Sequence, residues 1–406
     1  MKKLFVILLV LSMVFSLAAC TGNQQPPAAQ EQPEQPEEPE QPESPSEDGD
    51  KLVIGLLQDI TGKTATLGKM IEAGVKYAVE ELNAAGGING KPIEVITRDT
   101  TGDVTVAVNA FELLCTQDKV NAIVGPPVAN IGLAIAPISE LYDVPVLGFA
   151  IDPNTLQKED GTTYKNMFLL QPSDKQQGEI MAKYAIEELG SKKIGIIFRN
   201  DNAYSVGISN AFRAYVKATD VEGVEIVEEV EYKSSDTDFS TMLMKLMAAG
   251  ADTIFAPNYT QELITITQQA RAIGYQGRII NGLDAAPPFA SLAGDAANGV
   301  IYINNITESD PKIAEIMKIY KDKTGVDATN KFFLGHDVTN IIYQIVQEVG
   351  TDPVAIRDAV ENLSGFEGLT GVNSIDPKTH QAPGLEMYVH EIVNGESVMI
   401  KRYATD

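Results

Sequence analysis

The chain has 406 residues, with 56 acidic side chains against 31 basic ones and a formal net charge of −25. Residues 31–50 carry nine of the acids and no base, and residues 1–20 carry two lysines, which leaves −18 on residues 51–406. A field of that sign repels nucleic-acid phosphates and anionic headgroups, so no nucleic-acid partner is expected. Beyond residue 20 the one cysteine is Cys115, set in a helical pattern with Ala107, Ala110, Phe111 and Leu114, as a core residue would be. His336, His380 and His390 are far apart and lack metal-ligand spacing. There is no phosphate-binding loop, no Gly-x-Gly-x-x-Gly run and no nucleophile, base and orienter set. Neither an enzyme nor a metal or other cofactor is expected.

Chain order begins with an export signal. Lys2 and Lys3 precede an apolar run from Leu4 to Leu17, and Leu17-Ala18-Ala19-Cys20 supplies the small residues of a cleavage site. The run is too short and wrongly flanked for a mature membrane span. Leu-Ala-Ala-Cys resembles the lipobox of bacterial lipoproteins, which implies lipidation of Cys20 and an extracytoplasmic protein anchored to the bacterial membrane. Residues 21–50 are rich in Gln, Pro and Glu, with no aromatic or β-branched residue after Thr21. Such a segment cannot bury enough surface to offset its conformational entropy. Its prolines favour an extended spacer, so it reads as a disordered tether.

Leu52 to Leu57 is a short apolar run of the kind that forms a buried strand. The polar loop Gln58-Asp59-Ile60-Thr61-Gly62 follows. Ile71, Val75, Ala78 and Leu82 then repeat on one helical face. Gly86 and Gly87 stand where a helix end favours left-handed residues, Ile93 to Thr97 is the next strand, and Arg98 to Asp103 is again loop. This is one β-α-β unit of a parallel sheet. Gln58-Asp59-x-Thr61-Gly62, Leu67-Gly68 and above all Asn83-Ala84-Ala85-Gly86-Gly87-Ile88-Asn89-Gly90 resemble the opening of the extracytoplasmic solute-binding proteins of the branched-chain amino acid type, which serve ABC importers.

The alternation continues. Strands are expected at Val120 to Val124, Val144 to Phe149 and Met167 to Leu170, with a helix start at Gln171-Pro172-Ser173-Asp174. A second array follows, with strands at Ile194 to Phe198, Val224 to Tyr232, Thr253 to Ala256 and Arg278 to Ile280. Two such arrays mean two α/β lobes. Asp310-Pro311 and Asp352-Pro353 open helices, because Pro suits the first helical position after an Asp cap. Gly335 to Val349 forms another helix, and short strands occupy Phe366 to Gly371, Leu385 to Val393 and Ser397 to Tyr403. Later anchors of the resemblance are Ser291-Leu292-Ala293-Gly294-Asp295, Phe366-x-Gly368-x-Thr370-Gly371 and Gly335-His336-Asp337, where the family usually has Tyr-Asp.

The resemblance covers about residues 51 to 403 and implies an α/β type I periplasmic-binding-protein fold. Two Rossmann-like lobes are then joined by three crossover strands, placed near Gln171, Ile303 and Leu369, with a ligand cleft between the lobes. Residues 51–171 plus 303–368 would form the first lobe, and 172–302 plus 369–406 the second. The function implied is capture of a small polar solute and its delivery to an ABC transporter permease by a lipid-anchored monomer. A sensor subunit for a membrane receptor is the alternative.

In open α/β sheets ligands bind beyond the carboxyl ends of the strands, and pockets favour domain interfaces. The candidates are therefore Asp59, Thr61, Leu67, Pro127, Ala129, Asn130, Ala150 and Ile151 from the first lobe, with Asn200, Tyr204, Tyr259 and Asp284 from the second. By resemblance Leu67 covers the ligand, Tyr204 and Tyr259 match two loop tyrosines, and Asp284 falls near an acidic residue that pairs with a ligand ammonium. Ala129 and Ile151 stand where amino-acid binders of the family offer Ser and Thr hydroxyls. Loss of those hydroxyls favours a small neutral or cationic polar solute over free leucine, isoleucine or valine.

Overall fold

The computed structural model describes residues 51–383 and 385–403, and the export signal, the tether and Cys20 lie outside them. β1 (Val53–Gln58) pairs in parallel with β2 (Glu94–Asp99) and with β3 (Ala122–Val124). β4 (Val146–Gly148) and β5 (Met167–Leu169) extend the sheet to the order β2-β1-β3-β4-β5. β3, β4 and β5 are buried throughout, and β1 from its second residue on. A parallel sheet covered on both faces needs such unbroken apolar runs.

The second sheet repeats the pattern. β6 (Lys193–Arg199), β7 (Glu225–Tyr232), β8 (Thr253–Phe255), β9 (Arg278–Ile280) and β10 (Val300–Asn304) run parallel in the order β7-β6-β8-β9-β10. A hairpin of β11 (Phe366–Gly368) and β12 (Gly371–Asn373) stands apart from both sheets. β13 (Met387–Val393) and β14 (Glu396–Tyr403) close the β10 edge in antiparallel fashion. In each sheet the chain reverses direction of growth beside the first strand of the array. Two switch points result, at β1/β3 and at β6/β8, and the loops leaving them are where this topology leaves a crevice.

Helices cover the sheets: α1 (Ala65–Ala84), α2 (Val104–Thr116) and α3 (Ala129–Ser139), then α4 (Asp174–Glu187), α5 (Ala203–Ala218), α6 (Ser240–Ala248), α7 (Thr260–Ala272) and α8 (Phe289–Ala293). α9 (Pro311–Thr324), α10 (Asn330–Val349) and α11 (Pro353–Glu361) return to the first lobe. α9 and α11 start at the Asp-Pro caps expected of them. α10 opens five residues before Gly335, because the Thr329 hydroxyl caps it and Phe332 and Phe333 are buried against α9. It crosses α1 closely. A Cβ on Gly74 would stand 1.9 Å from the Phe332 carbonyl oxygen, and one on Gly335 would stand 2.3 Å from that of Ile71. On α2, Cys115 is half-buried, and burial with the nearby Glu112 pushes its thiol up to about 12.

The chain leaves the first sheet through Gln171 into α4 and leaves the second sheet after Asn304. The third crossing lies well beyond the Leu369 expected from the sequence. The Asp337 carboxylate on α10 accepts from the Thr370 amide and hydroxyl, both at 2.7 Å, and so holds the β11–β12 hairpin on the first lobe. The next stretch stays there as well. The Leu169 amide donates to the His380 carbonyl at 2.9 Å, and Ile375, Ala382 and Leu385 share a core with β1, α1 and α10. Only Met387 onward joins the second sheet.

Candidate functional site

Loops from the two switch points face each other across a narrow cavity of about 20 Å³. Leu67 and Ile71 on α1, Pro127, Phe149 and Ile151 supply an apolar wall from the first lobe, and Ala129 opens α3 against it. Opposite, Tyr204 at the start of α5 stacks on Tyr259, with ring centroids 4.8 Å apart and planes at 11°. Leu283 and Asp284 follow β9. Gln171 and Gln177 close one side at the first crossing, and Lys331 enters from the first turn of α10.

Several buried polar atoms facing this space have no partner: Gln171 Oε1, Gln177 Oε1, Tyr204 Oη and Asp284 Oδ1. Both amide orientations are fixed, since Gln171 Nε2 donates to the Phe149 carbonyl and Gln177 Nε2 to that of Pro172. Their free ends are therefore acceptors. Gln177 Oε1 and Tyr204 Oη are also near each other, because a Cβ on Gly282 would stand 2.9 Å from the one and 3.1 Å from the other. Buried polar atoms are almost always bonded; Tyr204 Oη and the Asp284 carboxyl lie beside each other, and the two glutamine oxygens are left for a ligand.

The site holds one charge of each sign. Burial pushes the Asp284 carboxyl above its usual range, opposed by the Lys331 charge and the neighbouring Tyr204 hydroxyl. Burial pushes Lys331 below its usual range, opposed by Asp284. The two charges feel each other without closing an ion pair. Beside the cleft, Asp174 at the start of α4 is 7% exposed, and burial together with Asp152 raises its carboxyl to about 7.

Leu67, Pro127, Ala129, Ile151, Tyr204, Tyr259 and Asp284 line this cavity. Five other candidates do not line it. Asp59 is fully buried and accepts from Gly62 N, Thr64 N and Thr64 Oγ1, so its carboxylate fixes the β1–α1 loop. Thr61 is likewise tied to Asp99. Ala150 packs under Gly132, and its carbonyl accepts from Thr155. Asn200 is bonded to Glu231 at the rim. Asn130 bridges the lobes instead: its Nδ2 donates to the Asp201 carbonyl at 3.1 Å, and its Oδ1 accepts from Ala203 N at 2.8 Å. Lys63 Nζ also crosses between the lobes, donating to the Ser234 carbonyl at 3.3 Å. Not among the sequence candidates were Ile71, Phe149, Gln171, Gln177, Leu283 and Lys331. For Lys331 the available signal was Thr329, a good helix cap two residues ahead of it.

No group of three or more His, Cys, Asp or Glu side chains among the described residues is arranged to hold a metal ion. Nor is any helix among them long and apolar enough to cross a membrane. Residues 51–396 match the periplasmic binding protein family. The chain belongs to this family. A curated member from Pseudomonas aeruginosa, a leucine-, isoleucine-, valine-, threonine- and alanine-binding protein, is 25% identical over 333 residues, covering 81% of this chain and 87% of that one. Among solved structures, the substrate-binding protein LivJ from Streptococcus pneumoniae in complex with isoleucine is 26% identical with a TM-score of 0.78, over 87% of this chain and 99% of that one. The leucine-binding protein LivK from Thermotoga maritima is 27% identical with a TM-score of 0.77, over 86% and 98%. This periplasmic binding protein is thus an extracytoplasmic solute receptor of the kind that serves ABC importers.

Proposed function

We propose that this protein closes its two lobes on a small solute with an N–H donor head and an apolar body, such as an amino acid, an amide or a related compound. It then presents the solute to the permease of an ABC importer. The observation that carries this reading is the convergence of Gln171 Oε1, Gln177 Oε1 and Asp284 Oδ1, three unpartnered acceptors, on an otherwise apolar cleft. An ammonium or amide head would satisfy them. A buried acceptor left bare costs about 1–3 kcal/mol. The lobes swing about the crossovers at Gln171, past Asn304 and before Met387, and no bond is made or broken. As it stands the cavity has room for about one water molecule, too little for such a solute, so the lobes must part both to admit it and to hold it.

The finer assignments belong to the same reading. Cys20 carries the lipid, residues 21–50 are the tether, and the folded part acts as a monomer. Residues 51–171, 305–383 and Leu385 form one lobe, and 172–304 with 387–403 the other. A melting screen of amino acids, amides, urea, polyamines and small organic acids tests the reading. At a hundredfold excess over Kd a true ligand stabilises by about 2.7 kcal/mol. A shift that survives Asp284→Asn and Gln177→Leu together would overturn the assignment of the head group.

A further inference from the structure

The cleft does not end at Lys331. A small gap shares Leu67, Leu283, Asp284 and Lys331 with the cleft on one side. On its other side the gap shares Pro287, Thr329 and Asn330 with a further cavity of about 60 Å³. That chamber lies between α9 and the β10–β13–β14 edge of the second sheet, and it is larger than the cleft proper. Its floor is polar. Tyr302 Oη and His390 Nδ1 both bond to Ser397 Oγ, at 2.6 and 2.8 Å. His390 is 4% exposed and its Nε2 has no partner, and Asn330 is 1% exposed with its Nδ2 unpartnered. Burial pushes the imidazole down to about 4, so the ring is neutral at neutral pH.

The two ends of this run of cavities have opposite chemistry. Gln171 and Gln177 present acceptors in the cleft alone, Asp284 and Lys331 line both the cleft and the gap, and the Asn330 amide is a donor on the gap's far side, shared with the chamber. Leu67 and Leu283, common to the cleft and the gap, form an apolar neck. We propose that the site extends through this neck into the chamber. The solute it then selects is an elongated ω-amino carboxylate, with its amine on the cleft acceptors and its carboxylate against Lys331 and Asn330. A chain of methylenes suits the neck, because it carries no polar group there to leave unbonded. This rests on the cleft being the solute site.

Calorimetry on the full-length protein with glycine, leucine, 4-aminobutanoate and 6-aminohexanoate tests the proposal. The expected result is that one of the two long compounds binds at least about tenfold tighter than glycine or leucine. Asn330→Leu should then lower the ratio of long-compound to leucine affinity by about tenfold. The wild-type length series decides the matter even if that variant does not fold. Glycine or leucine binding as tightly as the long compounds overturns the extended site, and so does a ratio that Asn330→Leu leaves unchanged. If none of the four binds, the ω-amino carboxylate class is refuted. A melting shift by some other solute, abolished in Asp284→Asn, would then leave the cleft reading standing alone, whereas no shift by any solute would sink both.

Discussion

Asp284 and Asp174 are carboxylates that burial raises for different ends. Asp284 sits opposite Lys331 with one oxygen unbonded. Where the bound head is cationic, Asp284→Asn should cost about 1.5–3 kcal/mol of affinity, the range for a hydrogen bond to a charged group. Calorimetry reads this directly, and an unchanged Kd would reduce Asp284 to a loop residue. Asp174 does not line the cavity, and a Cβ on Gly207 would stand 2.4 Å from its Oδ2. Its folded value of about 7 lies above the 3.8 of a free Asp. Between those values the unfolded chain has lost the proton while the folded one keeps it, so stability falls as pH rises through the window. The drop is bounded at about 4 kcal/mol. Asp174→Asn should flatten the slope of unfolding free energy between about pH 4 and 7, which urea melts would show. Neither role was fully legible in the sequence. Tyr204, Tyr259 and Asp284 follow strands of a repeated array, so their place at a sheet edge could be read directly. The free acceptors of Gln171 and Gln177 depend on which carbonyl each amide faces, and only the fold decides that.

At the scale of elements, the strand and helix order was legible because buried parallel strands write themselves as apolar runs and the Asp-Pro caps mark starts. What escaped were contacts between elements distant in sequence. The third crossing was misplaced because the bond that holds the β11–β12 hairpin, from Thr370 to Asp337, spans 33 positions. Lys331 was missed because Phe332 and Phe333 pack on α9, which draws α10 out to Asn330. The α1–α10 crossing that delivers Lys331 to the cleft depends on Gly74 and Gly335. Gly335→Ala should destabilise by about 1–3 kcal/mol, as overpacking does. It should also weaken binding in the folded fraction, because the helix carrying Lys331 must shift. Normal affinity in a folded Gly335→Ala protein would separate the crossing from the site.

For the whole molecule, the charge of −18 on residues 51–406 keeps the folded part from anionic surfaces, so attachment to a membrane must come from elsewhere. Cys20→Ala should move the protein from the membrane fraction to the soluble one without changing its melting temperature or its Kd for solute. Equal membrane retention would remove Cys20 as the anchor.

The other cysteine has a quieter consequence. A thiol pushed up to about 12 by burial is almost wholly protonated at pH 7, and it is the thiolate that attacks disulfides and alkylators. Cys115 can therefore sit through an oxidising compartment without cross-linking to a neighbouring copy. That silence lasts as long as α2 stays seated, so the rate at which a maleimide finds Cys115 is a clock for how often the first lobe breathes.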